Sequence, residues 1–178
     1  MNQNDYLAVH EMETAIGALT LSVYEDQLCR IDFGSFEENE SRLRQWAEKH
    51  ELPSVLIKDQ EQCAEAARQL DDYFNGKRKV FTLKLLMKGT EFQCKVWKAL
   101  SEIPFGETRS YKDIACAVQN PKGVRAIGMA NNRNPIPIVV PCHRVIGANG
   151  SLVGYGGGIE VKQFLLNLER PGVAVSAK

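Results

Sequence analysis

Three prolines between residues 135 and 141 constrain the fold of this chain more than any other sequence feature. Each proline fixes φ and lacks a backbone donor, so the segment cannot continue a helix and is expected to be extended. The prolines lead into Cys142 and His143, which are followed by an apolar strand end at residues 145–146. The pattern predicts a rigid, non-helical frame for one thiol and one imidazole.

The residues that follow this frame contain turn signals and then a helix. Asn149-Gly150 predicts a tight turn, as in a hairpin or a wing. Three glycines at residues 156–158 would let the backbone approach another group closely. Apolar side chains at helical spacing then predict a closing helix through Val161, Phe164, Leu165 and Leu168.

Composition limits the class of protein. The 178 residues, 44% of them hydrophobic, suit one domain or two small ones. The chain has no apolar run of 18 residues and no Lys or Arg in its first 15, so we expect neither a membrane span nor a secretory signal. Five cysteines without a CxxC motif predict a reduced cytosolic or nuclear compartment rather than a disulfide framework.

The neutral net charge hides an asymmetry between the two halves. Residues 1–85 contain 10 Lys+Arg against 16 Asp+Glu, whereas residues 86–178 contain 12 against 6. A basic half favours an anionic polymer as partner, although a solvated surface can produce the same asymmetry. The charge alone therefore does not establish nucleic-acid binding.

The first half of the chain contains regular patterns but no cluster of reactive side chains. Polar and apolar residues alternate at 19–23 and 28–33, and helical periodicity occupies 37–50 and 60–75. The spacer Glu25-Asp26-Gln27 predicts a hairpin between the two alternating segments. Residues 81–85 fit either a last strand or a linker. We interpret this half as a scaffold.

Capping signals predict three helices in the second half. Thr90 with Gln93 is a capping box, and Ser110 with Asp113 three residues later predicts the start of a second helix. Asn120 before Pro121 predicts the start of a third helix, because proline is tolerated at the first helical position. A short helix pair with basic residues at the start of its second member suggests a helix-turn-helix, but paired short helices also occur in unrelated folds.

The Cys-His pair could be catalytic or structural. A thiol becomes nucleophilic as thiolate, which requires a nearby base or positive field. Neighbouring side chains of an extended segment point to opposite faces, so proton transfer from Cys142 to His143 through one water is the natural geometry. Glu169 on the closing helix is the best candidate for orienting the imidazole.

We interpret the other cysteines as buried fillers: Cys29, Cys63, Cys94 and Cys116. His10, His50 and His143 show no zinc spacing, so no metal is expected.

The run PCHRVI at residues 141–146 resembles the active-site signature of the methylated-DNA–protein-cysteine methyltransferases, or O6-alkylguanine-DNA alkyltransferases. Neighbouring motifs agree in unbroken order over roughly residues 80–172: GTEFQ at 89–93, PFGETRSY at 104–111, NP at 120–121, RAIG at 125–128 and NP at 134–135. The resemblance implies α/β plus all-α architecture. It further implies an N-terminal RNase H-like α/β domain at residues 1–87, then a C-terminal winged helix-turn-helix domain at 88–172 and a tail at 173–178.

The resemblance also implies a function. The alkyl group of O6-alkylguanine, and of O4-methylthymine, would move irreversibly to Cys142 after the nucleotide is flipped out of duplex DNA. The protein would act once, without a cofactor, as a cytoplasmic monomer with no membrane partner.

Site residues follow from the same resemblance. Cys142 is the implied alkyl acceptor, His143 its water-linked base, Glu169 the residue that orients His143, and Tyr111 a hydrogen-bond donor to guanine. Arg125 matches a finger that fills the vacated stack, and Asn134 a buried hinge between the recognition helix and the active-site loop. The implied base pocket is lined by Val145, Tyr155, Gly156, Gly157 and Gly158. Many relatives have Ser at position 156, so the side-chain contact of that hydroxyl is absent here.

Two other classes of function remain open. A helix-turn-helix regulator would use the same helix pair and leave Cys142 structural. A thiol hydrolase would use Cys142 and His143 on ester or amide substrates. The mass of the protein after incubation with alkylated DNA distinguishes all three.

Overall fold

A computed structural model describes residues 5–170, which form two compact units divided between Lys88 and Gly89. The predicted tail at 173–178 lies outside the described residues. None of the helices within residues 5–170 is long and apolar enough to cross a membrane.

The first unit is a four-stranded sheet with two helices. Its elements are β1 (Leu7–Thr14), β2 (Gly17–Tyr24), β3 (Gln27–Phe33), α1 (Phe36–Lys49), β4 (Leu56–Lys58) and α2 (Gln60–Phe74). The strand order is β3-β2-β1-β4; the first three strands are antiparallel neighbours, and β4 pairs in parallel with β1. Glu25 and Asp26 adopt positive φ in the turn between β2 and β3, as a tight hairpin requires. The predicted hairpin is therefore present.

Both predicted helices of the first unit lie within one residue of their expected bounds. Ser35 and Glu38 form a capping box for α1, and the Asp59 side chain caps α2. Residues 81–85 form no strand: one isolated bridge joins Leu85 to Leu28, at the free edge of β3. This segment is closer to a linker.

The second unit is mainly helical. Its elements are α3 (Glu91–Ser101), β5 (Arg109–Ser110), α4 (Tyr111–Ala117), α5 (Val124–Asn132), a 3₁₀ turn (Cys142–Arg144), β6 (Val145–Ile146) and α6 (Ile159–Leu168). Reciprocal side-chain to backbone hydrogen bonds cap α3 at Thr90 and α4 at Ser110, as predicted. β5 pairs in parallel with β6, so the strand that follows the Cys142 turn is hydrogen-bonded to the residues just before α4.

The predicted start of the third helix is wrong. The α5 helix begins at Val124 with Gly123 as its N-cap, three residues after Pro121. The carbonyl of Asn120 instead accepts a hydrogen bond from Gly123 N at 2.9 Å, which closes a turn. Proline favours the second position of such a turn as readily as the first position of a helix, so the local sequence permits both.

The expectation of extended backbone at Cys142 and His143 is also wrong. Both residues lie in the 3₁₀ turn, where Arg144 N donates to the carbonyl of Pro141 at 3.0 Å. Proline tolerates the start of a helical turn because its missing N–H would be unsatisfied there. With three residues per turn, the two side chains project about 120° apart rather than to opposite faces.

Two smaller expectations also need correction. The Asn149-Gly150 turn is present, with Gly147 N bonded to the Ser151 carbonyl at 2.8 Å, but within the described residues no strand follows it to form a hairpin. Among the supposed buried cysteines, Cys29 and Cys63 are buried, whereas Cys94 is partly exposed and Cys116 is exposed. Cys116 lies on the outer face of α4, where helical periodicity alone does not reveal its exposure.

Candidate active site

Cys142 lies in a buried turn, and contacts hold the chain in place both before and after this turn. Its side chain is 4% exposed, and the following Val145 is fully buried in β6. On the preceding side, Asn134 Nδ2 donates to the Val140 carbonyl at 2.8 Å, and Asn134 Oδ1 accepts from Ile136 N at 3.0 Å. Asn134 is half-buried rather than buried as expected, but it lies just beyond α5 and holds the segment that leads to Cys142.

His143 and Glu169 form a buried pair. His143 Nε2 lies 2.7 Å from Glu169 Oε1, and both side chains are almost fully buried. Since the ionised carboxylate can only accept, Nε2 carries the proton and Nδ1 holds the free lone pair. Burial lowers the pKa of His143, and the hydrogen bond that His143 donates to Glu169 opposes that shift. The imidazole is therefore neutral at neutral pH and able to accept a proton at Nδ1.

Arg144 is a site residue for which the sequence analysis assigned no role. Its Nε and Nη2 donate to the two carboxylate oxygens of Glu169 at 2.8 and 3.0 Å, and its Nη1 donates to the Ile103 carbonyl at 2.6 Å. Burial raises the pKa of Glu169, but hydrogen bonds from His143 and Arg144 outweigh burial and hold it at about 2. Glu169 is thus a permanent negative charge shared by two donors. The one available signal was that Arg144 directly follows the Cys-His pair.

The resting thiol is protonated. Burial raises the pKa of Cys142 to about 11, while hydrogen bonds from Asn134 and Tyr155 and the charge of Lys162 act in the opposite direction. At neutral pH the site therefore holds a neutral thiol beside a neutral imidazole. Nucleophilic attack from this state requires a base that removes the proton as the new bond forms.

Lys162 is a second residue that the sequence analysis missed. It is fully buried on α6, and its Nζ donates to the carbonyls of Val145 at 2.6 Å and Val153 at 3.2 Å. Its ammonium also lies 5.9 Å from the centroid of the Tyr111 ring. Burial lowers the pKa of Lys162, and the neighbouring Cys142 raises it. A lysine in an amphipathic helix ordinarily faces solvent, so the sequence offered no signal for this position.

Tyr111 faces the loop before α6. It is the first residue of α4, and its hydroxyl donates to the Val153 carbonyl at 3.1 Å. Burial raises the pKa of Tyr111, and so does its proximity to Cys142. A Cβ on Gly128 of α5 would lie 4.0 Å from the Tyr111 ring, so this part of α5 packs close to the tyrosine.

The remaining expected site residues lie on α5 and in the loop before α6. Arg125 is exposed near the start of α5, in a helix whose buried side contains Ile127 and Ala130. A Cβ at Gly156 would meet no atom within 4 Å, so a serine there would have room. Gly158 has φ +90° at the start of α6, a conformation that favours glycine. Tyr155 is partly buried and Gly157 partly exposed in the same loop. Within residues 5–170, no group of three His, Cys, Asp or Glu side chains is arranged to hold a metal ion.

Two family models match this chain. The ribonuclease-like domain of 6-O-methylguanine DNA methyltransferase matches residues 8–87, and the DNA binding domain of the same family matches residues 91–171. The chain thus has the two-domain architecture of that family, with mixed α and β structure.

Individual relatives match the sequence of this chain over most of their length. The methylated-DNA–protein-cysteine methyltransferase of Methanosarcina barkeri is 48% identical over 158 residues, covering 89% of this chain and 94% of that protein. The constitutive enzyme of Bacillus subtilis is 51% identical over 160 residues, covering 89% and 92%. The crystal structure of Mycobacterium tuberculosis OGT in complex with DNA matches with a TM-score of 0.77 and 40% identity, covering 93% and 92%. With both family models and these relatives matching along its length, the chain belongs to the methylated-DNA–protein-cysteine methyltransferase family.

Proposed function

We propose that this chain repairs alkylated DNA by direct reversal, as a methylated-DNA–protein-cysteine S-methyltransferase. The observation that carries the proposal is the buried Cys142 beside the His143–Glu169 pair, in the family whose name describes transfer to a cysteine. The alkyl group moves from O6 of guanine to Cys142 Sγ, and we extend the proposal to O4-methylthymine. No cofactor is needed, because the thiol is itself the acceptor.

The target must leave the duplex before it can react. Its O6-alkyl group lies within the stacked helix, so the nucleotide has to be extruded, at a cost of a few kcal/mol. We propose that the exposed Arg125 fills the vacated stack and that Val145, Tyr155 and residues 156–158 line the pocket for the flipped base. Tyr111 would exchange its hydrogen bond with the Val153 carbonyl for one with the guanine.

The transfer itself is a displacement at the alkyl carbon. The Sγ–C bond forms while the C–O6 bond breaks, and guanine leaves with the electron pair of that bond. The thiol proton passes through a water molecule to His143 Nδ1, and the negative charge of Glu169 stabilises the resulting imidazolium. The product is a thioether, which thiol exchange does not reverse, so each molecule acts once.

The domain roles form part of the same proposal. We propose that α4 and α5 form the helix pair of a winged helix-turn-helix domain at residues 88–172, with the loop around Gly150 in the place of the wing. Its basic excess suits phosphate contacts that bind any sequence while the protein searches for damage. Residues 1–87 act as an RNase H-like scaffold. The protein works as a monomer, and a reducing cytoplasm would preserve its free thiol.

Mass spectrometry of intact and digested protein tests this function. After incubation with methylated duplex, the wild type should gain one methyl group on the peptide that contains residues 141–146. Cys142→Ala should bind the same duplex and gain no mass. Cys116→Ser, which removes an exposed thiol, is the matched control and should be methylated like the wild type.

Other outcomes would support a different class of function. Binding without any mass gain in the wild type would favour a DNA-binding regulator. Several methyl groups removed per protein molecule, or methylation at Cys116, would contradict a single-use acceptor at Cys142.

A further inference from the structure

Two buried polar atoms near Cys142 have no hydrogen-bond partner among the described residues: His143 Nδ1 and Asn131 Oδ1. His143 lies in the 3₁₀ turn and Asn131 at the end of α5, and at most 2% of either residue is exposed. Leaving such an atom unsatisfied is costly, so in folded proteins nearly all of them bond to protein or to buried water. Each atom therefore needs a hydrogen-bond partner, and a buried water would satisfy it.

The Asn131 side chain is held beside the nucleophile. Its Nδ2 donates a long hydrogen bond of 3.5 Å to the Cys142 carbonyl. The nitrogen end of the amide therefore faces that peptide. The preceding residue is anchored as well, because Trp97 Nε1 donates to the Ala130 carbonyl at 2.9 Å. Since Nδ2 and Oδ1 share one carbon, Oδ1 is kept near the same Cys142–His143 peptide from which the imidazole extends.

We infer that Asn131 Oδ1 and His143 Nδ1 bind one water molecule and that this water carries the thiol proton, which makes Asn131 a positioning residue. The inference rests on the function proposed above. The water donates one hydrogen to Asn131 Oδ1 and one to His143 Nδ1, and it accepts the thiol hydrogen of Cys142. Three hydrogen bonds are typical of a buried water.

Every proton is accounted for in this arrangement. As Sγ attacks the alkyl carbon, its proton passes to the water, while the hydrogen that the water donated to Nδ1 remains on the imidazole. The water is regenerated, the imidazolium is paired with Glu169, and guanine leaves with the electrons of the broken C–O bond. Asn131 exchanges no proton; its acceptor oxygen keeps the second hydrogen of the water away from Nδ1 and so fixes the water's orientation.

The charged and titratable groups around the thiol come from several elements. Lys162 from α6, Tyr111 from α4 and Tyr155 from the loop interact with the thiol. Glu169, just after α6, and Arg144, from the turn, interact with His143. Replacement of Asn131 by an uncharged residue alters none of them. A change in the pH dependence of transfer in such a variant would therefore report on the water path.

Asn131→Leu tests the inference, because leucine keeps the branched shape of the side chain and removes the acceptor. Single-turnover transfer should be followed from pH 6 to 10, with methylated duplex and with free O6-benzylguanine. At pH 7 we expect about tenfold slower transfer to the variant on both substrates. The loss should shrink towards pH 10, since a thiol that ionises into solvent no longer needs the relay.

A double-mutant cycle with His143→Ala provides the control. Once the proton acceptor is absent, Asn131→Leu should slow transfer less than twofold further. A tenfold loss in that background, or equal slowing at every pH, would overturn the inference and assign Asn131 a packing role. Unchanged duplex affinity and melting temperature would show that Asn131→Leu folds. Absence of transfer in the wild type would instead contradict the proposed function.

Discussion

Glu169→Gln should destabilise the second unit strongly and in a pH-dependent way. The carboxylate is buried and binds both His143 and Arg144, and its pKa is about 2 against an ordinary 4.5. That difference corresponds to about 3 kcal/mol of stability at neutral pH, at 1.36 kcal/mol per unit. Removing one partner of a buried ion pair in general costs about 3–5 kcal/mol, because the other charge is left buried and unpaired. In this variant the unpaired charge would be that of Arg144. The two magnitudes agree.

The pH window follows from the direction of the shift. A carboxylate with a lowered pKa in the folded state contributes its full stability above its unfolded pKa, and loses it as the pH falls from 4.5 towards 2. The difference in unfolding free energy between wild type and Glu169→Gln should therefore be about 3 kcal/mol at pH 7 and about 1 kcal/mol smaller at pH 3.5.

Urea unfolding, followed by tryptophan fluorescence, measures this difference. The chain has two tryptophans, and Trp97 is the one in the second unit. A Trp46→Phe background therefore reports on Trp97 alone. Arg144→Met added to Glu169→Gln should recover stability, because it removes the unpaired charge. A loss below 1 kcal/mol at pH 7, or the same loss at both pH values, would refute a buried, ionised and paired carboxylate.

Two further predictions concern extrusion and backbone strain. Arg125→Ala should slow repair of duplex at least tenfold and leave reaction with free O6-benzylguanine nearly unchanged, because a free base needs no extrusion; equal slowing in single-turnover assays of both substrates would contradict the finger role. Gly106→Ala should lower the unfolding free energy by ~2–3 kcal/mol, since φ is +81° and the new Cβ would lie 2.9 Å from the Glu169 carbonyl oxygen. Its control is Gly150→Ala, which has φ +80° and no atom within 4 Å of the new Cβ. That variant should cost only ~1 kcal/mol in urea unfolding, so equal losses in the two variants would contradict the close contact at Gly106.

Features that depend on neighbouring residues could be predicted from the sequence, and features that depend on distant ones could not. The caps at Thr90 and Ser110 and the turn at Glu25-Asp26 are set by local hydrogen bonds and φ preferences. Strand β4 has three residues and exists because it pairs with β1, more than 40 residues earlier in the chain. No local pattern could indicate a strand of that length.

The wrong backbone predictions at two prolines show how local rules become ambiguous. Pro121 and Pro141 can each precede a helical turn, occupy a turn or enforce an extended segment, and tertiary contacts select among these outcomes.

The burial of two cationic side chains could not be predicted from the sequence for a similar reason. Arg144 and Lys162 are long cationic side chains whose usual place is the surface. Their burial follows from the Glu169 carboxylate and the loop carbonyls that surround them, which sequence spacing does not reveal.

The protonation state of the resting site bears on how a protein that acts once avoids wasted reactions. A thiolate is the form that oxidises and that reacts with stray electrophiles, whereas a buried thiol is inert. Burial holds the pKa of Cys142 at about 11 and lowers that of His143, so neither group is charged before substrate binds. Glu169, by contrast, stays ionised throughout the physiological range because Arg144 and His143 bind it. In the proposed relay, the charge that would stabilise the imidazolium is therefore already in place. The imidazolium would form only when a bound alkyl group lets the thiol give up its proton. We therefore propose that reactivity depends on the arrangement of this relay rather than on a thiolate that exists before substrate binds.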